Sequence, residues 1–94
     1  MTTENPSPSP ESPLQFPMPF PIKVMGKNED GFVRAMTEIA RRFDPSFDAA
    51  TVELRESAGG NYLGVTLTVQ ATSRQQLNDL YHALTSHPLV KWAL

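Results

Sequence analysis

Between Phe16 and Leu94 the hydrophobic period switches from two residues to nearly four and back, twice over. That alternation limits the fold more than any other feature of the chain. Phe16, Met18, Phe20, Ile22 and Val24 take alternate positions, with Pro17, Pro19, Pro21, Lys23 and Met25 between them. This is a strand with one strongly apolar face. Proline has no N–H for a ladder, so regular pairing is expected only after Pro21, with the earlier aromatic residues lying over one end of the core. Gly26 ends the strand. From Asn28 the period lengthens: Phe32, Val33, Met36, Ile39, Ala40 and Phe43 form one helical stripe. Asn28 is the expected N-cap, Glu29 and Asp30 suit the first turn, and Arg41 and Arg42 suit the last. Asp44-Pro45 stops the helix, because proline disfavours the helical region for the residue before it.

A hairpin follows. Over Thr51–Ser57, Val52 and Leu54 alternate with Glu53 and Arg55, and Ala58-Gly59-Gly60-Asn61 supplies the turn. The return strand sets Leu63, Val65, Leu67, Val69 and Ala71 against Tyr62, Gly64, Thr66, Thr68 and Gln70. Thr72 or Ser73 caps a second helix, with Gln75 or Gln76 three positions on. Its stripe is Leu77, Leu80, Tyr81 and Leu84, and His87-Pro88 breaks it. Leu89–Leu94 is a last strand, with Val90, Trp92 and Leu94 sharing one parity. Elements in the order βαββαβ, each with one apolar side, close most simply as two layers with right-handed crossovers. The expected fold is an α+β, ferredoxin-like sandwich: a four-stranded antiparallel sheet of order 4-1-3-2 with both helices on one face.

Composition defines the rest. Seven of the nine prolines fall within the first 21 residues. Residues 1–15 therefore read as a disordered Pro/Ser-rich leader ahead of a single domain at 16–94. Of the ten acids, Glu4 and Glu11 belong to the leader, so the domain carries eight acids against eight bases. A neutral domain argues against electrostatic binding of nucleic acid. The chain has no cysteine, which removes disulfides, thiol nucleophiles and thiolate metal sites. It also lacks an 18-residue apolar run or a basic and apolar signal region, so no membrane association and a cytoplasmic location are expected.

The helices should cover one side of the sheet and leave the other bare. The uncovered side is expected to present Lys23, Met25, Glu53, Arg55, Tyr62, Thr66, Thr68, Gln70, Lys91 and Ala93. It is either a solvated face or a partner surface on which Lys23 and Lys91 together accept a carboxylate. Stacking aromatics that would bind single-stranded RNA are missing from the central strands. His82 and His87 are not spaced for a shared helical face, so no metal site is expected. No nucleophile elbow, P-loop or dinucleotide fingerprint is present, and no cofactor is implied. Acids at Glu29 and Asp30 disfavour the phosphate loop that acylphosphatase chemistry would need on this fold.

Val24-Met25-Gly26-Lys27-Asn28-Glu29-Asp30-Gly31-Phe32 resembles the strand–loop–helix of ACT-type ligand-sensing domains. That resemblance implies a ligand loop made of Gly26, Lys27, Asn28, Asp30 and Gly31, with glycine admitting an amino-acid-like ligand to the backbone. The whole ordered chain is similar to the YbeD-like family of small bacterial proteins. The matching residues are Phe16-Pro17-Met18-Pro19-Phe20, Lys23-Val24-Met25-Gly26, Gly60-Asn61-Tyr62, Ala71-Thr72, Leu80-Tyr81 and Val90-Lys91-Trp92-Ala93-Leu94. Departures are the long leader and Trp92, where the family often has a smaller apolar residue. The resemblance implies an ACT-like sandwich of unassigned activity and, through neighbouring genes, an association with lipoate metabolism.

The functional expectation is a non-catalytic regulatory or adaptor module that docks on a protein partner. A homodimer formed across the open face or a helix flank is a further expectation. The alternatives are a small-ligand sensor, or an enzyme using Lys27, Asn28, Asp30 and Tyr62.

Overall fold

The computed structural model describes residues 15–94. The leader reading for residues 1–14 lies outside the described residues. Seven elements follow one another: β1 (Met18–Lys27), α1 (Phe32–Phe43), a 3-10 turn (Ala49–Thr51), β2 (Glu53–Glu56), β3 (Tyr62–Ala71), α2 (Arg74–Thr85) and β4 (Val90–Ala93). The strands form one antiparallel sheet in the order β2-β3-β1-β4, which is the expected order read from the other edge. Ile22 and Val24 of β1 and Val65, Leu67 and Val69 of β3 meet Phe32, Met36 and Ala40 of α1 and Leu80 and Leu84 of α2, all nearly inaccessible to solvent. The apolar stripes read from the sequence are the two layers of this core.

Pairing begins earlier than the prolines suggested. β1 is in register with β3 from Met18↔Ala71 through Lys27↔Tyr62. Lys23 and Lys27 donate their N–H groups outward, to the carbonyls of Leu94 and Leu89 at 3.0 and 2.9 Å. Hydrogen bonding alternates along an antiparallel strand, so the odd positions of β1 point away from β3. Pro19 and Pro21 occupy such positions, where their missing N–H costs the β1–β3 ladder nothing.

Helix α1 starts later than expected. Its N-cap is Gly31, at φ 86°, and Glu29 and Asp30 precede the helix instead of occupying its first turn. Asn28 is not the cap. Its amide Nδ2 donates to the Gly60 carbonyl at 2.9 Å and to Glu56 at 3.4 Å, tying the loop to the hairpin. At α2 Ser73 is the cap, its Oγ accepting from the Gln76 N–H at 3.0 Å, while the return bond of the box is displaced by one residue: Gln76 Oε1 accepts from the Thr72 N–H at 2.6 Å.

Beyond the reach of β2, the outward backbone groups of β3 need other partners. Gln70 N–H donates to Asp44 Oδ2 at 2.8 Å, and Gln76 Nε2 donates to the Gln70 carbonyl at 3.2 Å and to that of Phe43 at 2.8 Å. Asp44 is buried, and Ser46 donates to it through both its N–H and its hydroxyl. Burial works against its charge, but the bonds from Ser46 and Gln70 outweigh that cost and hold its carboxyl below the ordinary value.

The last strand differs most from expectation. Val24 faces Ala93 and Met25 faces Trp92, but Gly26 faces Val90, leaving Lys91 as the extra residue of a β-bulge. The bulge reverses the side-chain parity after Lys91. Ala93 therefore shares the core face with Val24, and Trp92 shares the open face with Met25. The uniform apolar side expected for Val90, Trp92 and Leu94 does not form, and Leu94 is 71% exposed. β2 is shorter than the Thr51–Ser57 expected, and Leu54, although opposite the buried Val65, is 56% exposed beyond the edge of the core.

Candidate partner face

The open face follows from register. Cross-strand partners share a side, so Lys23↔Thr66, Met25↔Gly64, Glu53↔Thr66 and Arg55↔Gly64 put these side chains on the side of the sheet away from the helices. The bulge adds Trp92 beside Met25. A groove of about 540 Å³ runs between them, with Met25, Gly64 and Trp92 forming its apolar part and Lys23, Glu53 and Arg55 its charged margin. Gly64 deepens the floor: a Cβ there would lie 3.6 Å from the Met25 methyl and 3.4 Å from the Arg55 carbonyl. Trp92 is 40% exposed, so the indole is only partly covered. A half-open aromatic ring with polar neighbours can anchor a protein partner.

The expected lysine pair is divided. Lys91 holds its ammonium 4.9 Å from the centroid of the Tyr62 ring, a cation–π contact at the loop end of the sheet. Lys23 instead lines the groove, so the two do not converge on one carboxylate site. Thr66 lies in the groove, while Thr68 continues the face toward Asp44. Ala93, expected on this face, is turned to the core. Trp92 is the candidate residue of this face that alternation missed. The one signal in the sequence is that Val90 and Ala93 are both core-compatible but three apart, a spacing that uninterrupted alternation cannot satisfy.

The candidate ligand loop is placed differently. Lys27, Asn28 and Tyr62 meet, with Glu29, Gly60 and Asn61, around a shallow depression of about 380 Å³; Asp30 and Gly31 do not line it. Asn28 N–H donates to the Asn61 carbonyl at 3.0 Å, so its backbone and amide donors are both engaged by the hairpin. Two glycines here have local explanations. A Cβ at Gly26 would collide with the Phe32 ring and with the Leu89 carbonyl at 2.6 Å, and Gly31 supplies the positive φ that starts α1. Burial raises the Tyr81 phenol above its ordinary value, and neither Tyr81 nor Asp44 lines the groove or this depression. Among the described residues no group of three His, Asp or Glu is gathered as for a metal ion, and no helix is long and apolar enough to cross a membrane.

The family model described as "Protein of unknown function (DUF493)" matches residues 11–94. A UPF0250 protein of Bordetella pertussis is 55% identical over 87 residues, covering 93% of this chain and 96% of that protein. A UPF0250 protein of Ralstonia nicotianae is 50% identical over 97 residues, covering all of both chains. The solution structure of protein HP0495 from H. pylori superposes with a TM-score of 0.74 at 14% identity, covering 97% of this chain and 96% of that one. That likeness concerns the fold alone. Register, core and sequence identity agree, and the chain belongs to the DUF493 family, the small bacterial YbeD-like proteins it resembles.

Proposed function

We propose that this protein is a non-catalytic adaptor or regulatory module of the cytoplasm that docks a protein partner across its open sheet face. The observation that carries this reading is the bulge at Lys91, which puts a half-exposed Trp92 beside Met25 in a groove margined by Lys23, Glu53 and Arg55. A solvated sheet face needs no tryptophan, and a tryptophan serving only the fold would gain more from the core. The small-ligand reading has less support, because the polar donors of Asn28 bind the hairpin and both glycines of the loop answer to packing and backbone shape. The lipoate association rests on the neighbourhood of related genes.

Affinity capture from native extract with the tagged full chain tests the proposal, run beside Trp92→Ala and Lys23→Glu baits and a helix-surface control, Arg34→Ala. The expected result is a partner retained by wild type and by the control and lost from the two face variants. Enzymes of octanoyl transfer or lipoyl synthesis among such partners would support the lipoate association. Partners that bind all four baits equally would refute docking on this face.

A further inference from the structure

We propose that the partner of the open face is an acidic segment with a central apolar side chain, lying along β1 and β4 over Met25 and Trp92. This rests on the docking proposed above and names what the groove receives. Charge in the domain is sorted by face. Residues 16–94 hold eight bases and eight acids. Register puts Lys23, Lys27 and Arg55 on the open side, and Lys91 joins them over the Tyr62 ring, against Glu53 alone. Four bases against one acid on this side leave four against seven on the rest of the domain. Two more acids border its loop end. Glu29 lines the depression with Lys27, and Glu56, opposite the buried Leu63, belongs to the helix side and accepts from Asn28.

The sorting is sharpest on the β1–β4 half. Lys23 and Lys27 flank Met25 on the same side of β1, each about 6.6–6.8 Å along the strand, and Lys91 adjoins Trp92. No acid of β1 or β4 shares that side. Among the described residues none of these lysines forms an ion pair; the pair present is Arg34–Glu38 on α1. An occupant that covers Met25 and Trp92 also strips water from the ammonium groups beside them. A neutral or basic occupant leaves those charges uncompensated, whereas carboxylates on both sides of its apolar residue pair with them. An extended segment repeats its same-face side chains at the spacing of β1, so acids two residues before and two after the apolar one reach Lys23 and Lys27. A second copy is a poorer occupant, because it would lay three lysines against a face that offers one acid. Single-stranded RNA would match the charge, but Tyr62 lies beneath Lys91 and Trp92 stands on an edge strand, so no aromatic platform follows the central strands.

Selection from a random peptide library on the immobilised full chain, followed by titration against the emission of Trp92, its one tryptophan, tests this. The expected peptides are net acidic, carry carboxylates on both sides of an aromatic or aliphatic residue, and change Trp92 emission on binding. Lys23→Glu and Lys27→Glu should each weaken them about tenfold, and raised salt should weaken them too. Arg41→Glu on α1 should leave them unchanged. Enriched peptides that are neutral or basic yet move Trp92 emission overturn the acidic assignment and leave the docking face standing. Acidic peptides that bind both lysine variants as they bind wild type, without moving Trp92, remove the face as well. A library with no enriched sequence also overturns the assignment. So does a Trp92 response to an oligouridylate larger than to any peptide, or to protein concentration alone, which gives the face to RNA or to a second copy. Emission that Glu4→Gln with Glu11→Gln alters in the absence of peptide makes the leader the occupant and overturns a separate partner.

Discussion

Asp44 shows how one side chain can close two unrelated problems. It ends α1, orders the following turn through Ser46, and accepts the Gln70 N–H that β2 is too short to reach. Its carboxyl titrates below the ordinary value of 3.8, so its contribution to stability is complete above that pH. The contribution is lost as pH falls through the lower folded-state value. Asp44→Asn turns an acceptor into a group that is half donor, facing donors. A loss of about 1–3 kcal/mol is expected at neutral pH by urea denaturation. The gap between variant and wild type should narrow in the acid range below 3.8. A gap that stays constant with pH would mean that the charge of Asp44 does not matter. None of this could be read from Asp44-Pro45, which signals only a helix end, because the bond to Gln70 joins positions 26 apart in sequence.

At the scale of elements, alternation identified nearly every strand and helix, since each has one buried side and its period reports it. The core positions of β1, α1, β3 and α2 were legible for that reason. The candidate site was legible in part. Lys23, Met25, Thr66, Glu53 and Arg55 follow from parity, but Trp92 does not, because a bulge inserts one residue and inverts every side chain after it. Neither could the prolines of β1 be placed before it was known which side of the strand they face. Their position at the margin predicts a role in keeping that edge unpaired. Pro19→Thr with Pro21→Thr restores two outward N–H groups. It should leave thermal stability nearly unchanged while promoting self-association at high concentration, seen by light scattering. A doubly substituted chain that fails to fold would show that the prolines serve the strand and not its edge.

For the whole molecule, among the described residues the helices cover one side of the sheet, the β1–β4 margin is blunted, and the other face is left open. The open-face reading depends on where the last strand points its one tryptophan. The most direct check is the unfolding free energy of Trp92→Ala, followed by circular dichroism in urea. With the indole on the open face and only partly covered, the truncation should cost about 1–2 kcal/mol. A loss of about 3–5 kcal/mol, as for a tryptophan removed from a packed interior, would put Trp92 in the core and contradict the account.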